Sequence, residues 1–234
     1  YYYPNGPLTN KVFRFGYYEN NLIELVGGYN FIGSKSYSGD WFSTFENNFD
    51  WKSGYFKYNS IPSSFNDFIS ASYNSFNATL YLSSYGNGLV AINPKDLTTT
   101  IFTNTNSPLN KDASNNFLLV GETEVDVDGK LWIPMHGVNA GIPNLHSLSH
   151  DGTWNNYTLN SSLNKGFISV TIDDLSNKWI KAASTSGNSG IVVFNENTNL
   201  SRTLSTIIGY GGLPDANVNC ITKDKKGIVY IGTN

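Results

Sequence analysis

The stretch Asp126-Val127-Asp128-Gly129-Lys130-Leu131-Trp132-Ile133 decides the fold, because its pattern returns twice. The copies are Asp173-Asp174-Leu175-Ser176-Asn177-Lys178-Trp179-Ile180 and Asp224-Lys225-Lys226-Gly227-Ile228-Val229-Tyr230-Ile231. Each opens on Asp, turns through Gly or Asn, and ends on an aromatic followed by Ile. Two weaker copies precede them: Asn77-Ala78-Thr79-Leu80-Tyr81-Leu82, and Glu19-Asn20-Asn21-Leu22-Ile23 running into Leu25-Val26-Gly27-Gly28. Ile23, Tyr81, Trp132, Trp179 and Tyr230 therefore recur at a period of about fifty residues, the signature of a repeat architecture.

Four short strands fit each period, bounded by turn residues. An apolar alternation such as Phe167-Ile168-Ser169-Val170-Thr171-Ile172 runs up to the Asp turn, and the aromatic-Ile strand follows. The third strand begins with Gly, as in Gly88–Asn93 and Gly190–Asn195. The fourth carries an aromatic, as in Asn48–Trp51, Thr99–Phe102 and Gly152–Tyr157. The fold predicted is all-β, a β-propeller of four-stranded antiparallel blades around an axis. Blades are expected at approximately 11–57, 64–104, 117–159, 166–206 and 216–234, the last incomplete. Some 4.5 blades suit part of a larger, seven-bladed ring, so the sequence reads as a segment of a longer chain. Tyr81, Trp132, Trp179 and Tyr230 are expected to wedge between blades, and Cys220 to be a small buried hydrophobe.

Composition agrees and removes several functions. The 234 residues are 15% aromatic and only 14% charged, with 22 glycines, a balance suited to strands and tight turns. The formal net charge is -3, and the only arginines are Arg14 and Arg202, so no basic stripe exists to neutralise a row of phosphates. Nucleic acid is not an expected partner. A single Cys excludes an internal disulfide and a cysteine-based zinc domain. No apolar run is long enough for a transmembrane segment, and the opening Tyr1–Gly6 lacks the features of a signal peptide, so any export signal is expected outside this sequence.

The final unit, Gly212 to Asn234, resembles the two-component-regulator propeller repeats of Bacteroidetes-type bacteria. Val26-Gly27-Gly28, Ser83–Leu89 with Asn106–Leu109, and Leu131–Ile133 ahead of Asp151–Trp154 are similar to the PorZ family of the type IX secretion system. That resemblance implies an exported protein of the periplasm or cell surface, associated with the outer membrane. It further implies protein partners in a secretion or attachment complex, and recognition of anionic lipopolysaccharide or another glycan. The other repeat family implies instead the extracytoplasmic oligosaccharide sensor of a hybrid two-component regulator.

Residue patterns for chemistry are weak beside these. Ser149-His150-Asp151-Gly152-Thr153-Trp154 lacks the spacers of a sialidase Asp-box, and two arginines cannot supply a carboxylate clamp. Asp126-Val127-Asp128-Gly129 begins like a calcium loop but lacks the remaining ligands, so it reads as a turn. His136, His146 and His150 fall on a strand and its loops, which does not favour zinc. No metal or cofactor is expected. Strand alternation would point Glu122, Glu124 and Asp126 the same way, toward an axial channel. Two such carboxylates could serve a carbohydrate-active enzyme, although a hydrated channel wall is the simpler reading, and no enzyme is expected. The favoured ligand-binding residues lie in the loops between strands two and three: Tyr29, Lys35, Tyr37, Tyr85, Asn87, His136 and Asn139. Exposed aromatics there would stack on a sugar ring while amides bond its hydroxyls.

Overall fold

The computed structural model describes all residues except 1–5, 8, 31–33, 40, 47–49, 54–59, 160–165 and 183–189. The described residues hold nineteen strands and no helix. Strands β1 (Arg14–Tyr18), β2 (Asn21–Leu25), β3 (Phe42–Phe45) and β4 (Trp51–Ser53) form the first antiparallel sheet in that order. The second sheet is β5 (Phe68–Asn74), β6 (Thr79–Gly86), β7 (Gly88–Ile92) and β8 (Thr99–Phe102), with β9 (Leu118–Leu119) added at the far end of β6. The third comprises β10 (Glu124–Val125), β11 (Leu131–Pro134), β12 (Leu145–Leu148) and β13 (Trp154–Tyr157). The fourth comprises β14 (Phe167–Ile172), β15 (Asn177–Ala182), β16 (Gly190–Asn195) and β17 (Leu200–Leu204), and β18 (Val218–Lys223) pairs β19 (Val229–Thr233) in a fifth. Of the expected fourth strand of the first unit, Asn48 and Phe49 lie outside the described residues.

Each sheet is a meander, so its first strand lies at one edge. Successive first strands meet: β1 touches β5, β5 touches β10, β10 touches β14, and β14 touches β18. That places the first strands on the inside of a curved stack, as in a propeller. The approach there is close enough to demand glycine. A Cβ on Gly27 would lie 2.3 Å from the backbone of Asp67, and one on Gly121 would lie 2.3 Å from the Ile168 carbonyl oxygen. Across the second and third sheets, Thr123 N–H donates to Ser70 Oγ (3.0 Å), and Ser72 Oγ donates to the Thr123 carbonyl (2.7 Å). Across the third and fourth, Glu122 N–H donates to the Ile168 carbonyl (2.6 Å).

The recurring aromatics fill the spaces between sheets. Ile23 packs with Phe68 and Leu80 between the first two sheets, and Tyr81 with Leu131 and Ile133 between the second and third. Trp132 is fully buried among Phe167, Ile180 and Phe194, between the third and fourth. Burying an indole of that size removes roughly 150–250 Å² from water, about 4–6 kcal/mol as an upper figure. Trp179 packs partly buried against Val218 and Ile231.

The repeated Asp explains the spacing. One oxygen of Asp126 accepts the N–H groups of Asp128 (3.1 Å) and Lys130 (2.9 Å), fixing the turn, while the other accepts Trp132 Nε1 (2.7 Å). Asp173 does the same for Leu175, Asn177 and Trp179 Nε1 (2.8 Å), and Asp224 for Lys226, Ile228 and the Tyr230 hydroxyl (3.3 Å). A single carboxylate thus shapes the hairpin and satisfies the polar atom of the wedge that follows.

Three expectations are corrected here. Tyr230 is 52% exposed, because no further sheet packs on β19 among the described residues. Cys220 is exposed rather than buried: among the described residues no further first strand packs on β18, whereas Ser70, at the same place after the same kind of bulge in β5, is covered by Thr123 of the next sheet. Asp126 does not line an axial channel with Glu122 and Glu124, since both its oxygens are committed to the turn and to Trp132.

Candidate functional site at the loop face

The described parts of the connections between second and third strands, and of those leading into the second, third and fifth sheets, lie at one end of the stack. The residues there form a second, smaller core instead of an open aromatic surface. Ile69, Tyr85 and Leu119 are buried, with Phe13, Tyr29 and Phe117 packed on them. Ring follows ring across three sheets: Phe13 to Tyr29 at 5.2 Å, Tyr29 to Tyr85 at 5.2 Å, and Tyr85 to His136 at 5.9 Å. Tyr85 and His136 are therefore buried and Tyr29 is half-buried, contrary to the exposure expected of them.

Polar groups in this core are tied. The Tyr29 hydroxyl donates to Glu122 Oε1 at 2.7 Å, and Arg14 Nη2 lies 2.6 Å from Glu122 Oε2. Burial first, and then the Glu122 charge, push the Tyr29 hydroxyl far above the ordinary phenol range. Burial does the same to Tyr85, with Asp112 adding to it. Burial also lowers His136 to about 4, against the opposing pull of Asp112, so its imidazole is neutral at physiological pH. Glu124, half-buried on β10, is pushed up to about 7 by burial, opposed by the Ile172 amide and Lys223.

Asp67 organises the longest loop. It is fully buried, and its carboxylate accepts the N–H groups of Tyr37 (2.9 Å) and Ser38 (2.8 Å). Burial raises its carboxyl above the usual range, against those two bonds and Lys35. The Lys35 side chain is only 5% exposed; its Nζ donates to Asn66 Oδ1 (2.9 Å) and lies over the rings of Phe117 (4.5 Å) and Tyr37 (5.1 Å). Burial lowers its ammonium below the ordinary lysine value. Tyr37 itself is held at φ 57°, an uncommon conformation for a bulky residue, and the residue is 65% exposed. Residues 31–33 of the same loop lie outside the described residues.

Of the seven expected ligand residues, Tyr29, Lys35, Tyr37, Tyr85 and His136 come together around this core. Asn87 is half-buried and accepts from Ser84 Oγ (3.3 Å), while Asn139 is exposed on a separate loop. Sequence reasoning missed Arg14, Asn66, Asp67 and Phe117. Asp67 carried one usable signal: an acid placed immediately before an apolar first strand. Glu122 has both oxygens occupied, so it is not a free base paired with Glu124.

Residues 212–234 match the model described as the two component regulator propeller. The final unit is therefore similar to a two-component-regulator propeller repeat. No curated protein matches the chain. Among solved structures, PorZ, described as an essential bacterial surface component of the type-IX secretion system of Porphyromonas gingivalis, superposes with a TM-score of 0.76 at 15% identity. That match covers 98% of this chain and 32% of PorZ. The extracellular domain of a hybrid two component system from B. thetaiotaomicron gives 0.64 at 16% identity, covering 97% and 26%. Virginiamycin B lyase from Staphylococcus aureus, with quinupristin, gives 0.63 at 12% identity, covering 97% and 66%. The chain thus spans about a third or less of the first two proteins. At these identities the likeness establishes the propeller fold. Among the described residues no helix is long and apolar enough to cross a membrane.

Proposed function

We propose that the chain is a non-enzymatic binding and scaffolding propeller of an exported protein similar to PorZ. In this reading it works in the periplasm or at the cell surface and recognises a partner protein or anionic lipopolysaccharide through its loop face. The carrying observation is Tyr37, an exposed ring held in a left-handed backbone conformation by a buried carboxylate. Strain of that kind persists only where surrounding contacts over-determine it, and it collects at ligand sites. Exposed Asn139 and the half-exposed Arg14 guanidinium offer hydrogen bonds on the same face.

The match of residues 212–234 supports a second reading, an extracytoplasmic oligosaccharide-sensing propeller of a hybrid two-component regulator. A carbohydrate-active enzyme fares worse, because Glu122 is committed to Tyr29 and Arg14. Tyr37→Ala, compared with wild type in a lipopolysaccharide pull-down and on a glycan array, tests the favoured reading. Loss of binding with unchanged thermal unfolding is expected. Undiminished binding removes Tyr37 from the site.

A further inference from the structure

The ammonium of Lys35 lies in a pocket that other parts of the chain build around it. The side chain is 5% exposed, although it starts from the connection between β2 and β3. Its Nζ donates to Asn66 Oδ1 at 2.9 Å, lies 3.9 Å from Asp67 Oδ2, and faces the rings of Phe117 at 4.5 Å and Tyr37 at 5.1 Å. Gly86, at the end of β6, closes the floor. A Cβ there would lie 2.0 Å from Nζ and 2.7 Å from Cε of Lys35, so any side chain at that position would displace the ammonium. An amide oxygen, a carboxylate and aromatic faces are the groups by which proteins recognise a cation of this kind.

The walls do not depend on their occupant. Asp67 accepts the N–H groups of Tyr37 (2.9 Å) and Ser38 (2.8 Å), and donates its own N–H to the Ser38 carbonyl (2.9 Å). The Asn66 carbonyl accepts from Ser84 Oγ at 2.6 Å, and the Phe117 carbonyl accepts the Asp112 N–H at 2.7 Å. None of these bonds passes through Lys35. Filling space does not account for the residue either, because burying an ammonium carries a desolvation cost that an aliphatic side chain of similar length avoids.

We infer that Asn66, Asp67, Gly86 and Phe117, with the ring of Tyr37, form a binding pocket for a primary alkylammonium, and that this chain fills it with its own Lys35. The lysine is a tethered ligand. It draws the connection between β2 and β3 of the first sheet onto the end of β6 in the second, and onto the segment that precedes β9.

Lys35→Ala removes everything beyond Cβ, a fragment with the shape of n-propylammonium, and that ion is the probe. Amide hydrogen exchange at Tyr37 and Ser38 reads the site, because Asp67 holds both amides beside it. A ligand so small is expected to bind with a dissociation constant of about 10 mM, so about 20 mM should slow that exchange about threefold in the variant. Sodium chloride at equal ionic strength, and n-propanol, which has the same length without the charge, should leave the exchange unchanged. In wild type the ion should do nothing, because the tethered lysine out-competes it. A crystal of the variant grown with the ion should place its nitrogen within about 3.5 Å of Asn66 Oδ1. Where Lys35→Ala does not fold alone, recovery of folded protein with n-propylammonium and not with sodium chloride is the same result. Equal effects of n-propanol and n-propylammonium, an equal effect on wild type, or no effect of the amine on exchange or recovery would overturn the inference.

Discussion

Replacing Asp126 and Trp132, singly and together, isolates the bond on which the repeat is built. Trp132→Phe keeps a ring in the space between the third and fourth sheets but removes the N–H that reaches Asp126 at 2.7 Å. A hydrogen bond to a charged acceptor contributes about 1.5–3 kcal/mol, and the smaller ring adds a cavity, so about 2–4 kcal/mol is expected in all. Asp126→Ala removes the same bond together with two turn bonds at 2.9 and 3.1 Å, which are more exposed and worth about 1 kcal/mol each. The double variant should be less damaging than the sum by about 1.5 kcal/mol or more, the coupling of carboxylate to indole. Urea unfolding followed by circular dichroism gives all three values. A coupling below about 0.3 kcal/mol would mean that the carboxylate serves the turn alone, and the account of the spacing would fail. The exposed pair Tyr230 and Asp224 is the internal control: Tyr230→Phe should leave the unfolding midpoint within error.

Gly27→Ala puts a methyl 2.3–2.4 Å from the backbone of Asp67 and Phe68, and should lower the melting temperature by well over what an ordinary surface Gly→Ala does. Glu124 has a folded value of about 7 against an ordinary 4.5, so its stabilisation is complete below pH 4.5 and lost as pH rises through 7. Glu124→Gln should therefore raise stability at pH 8 by about 1–3 kcal/mol, allowing for partial exposure, and flatten the urea midpoint between pH 5 and 8. His136 runs the other way: with a folded value near 4 against 6.5, its contribution is present above pH 6.5 and lost as pH falls toward 4. His136→Phe should remove that acid dependence, seen as a flatter melting temperature from pH 6.5 to 4. Asp67→Ala should speed amide hydrogen exchange at Tyr37 and Ser38 while leaving the strands of the fourth sheet unchanged.

The architecture was legible because its cause is local. An Asp, a turn and an aromatic within eight residues fix a hairpin and a wedge, and repetition supplies the rest. Tyr81, Trp132 and Trp179 could be assigned to the spaces between sheets on that basis alone. The loop face was legible only in its location. Tyr29, Tyr85 and His136 look like any polar-aromatic loop residues until the fold brings three sheets together at one end and buries them. Asp67 binds amides some thirty positions earlier in the chain, and Glu122 is neutralised by a residue more than a hundred positions away. No periodicity marks such pairs. Two arginines cannot form a sialidase clamp, yet Arg14 alone suffices to secure a single carboxylate. Cys220 differs from its counterpart Ser70 because no further sheet covers β18 among the described residues, which the sequence of the strand itself does not encode.

The two oxygens of the repeated aspartate have a genealogical consequence. Since one side chain supplies both the bend and the anchor for the next ring, a duplicated gene fragment inherits everything its hairpin requires and depends on its sibling for apolar shape and a few hydrogen bonds at the inner edge. Tandem copying can then lengthen such a protein in single steps, while the opposite rim accumulates changes that leave the copied instructions intact.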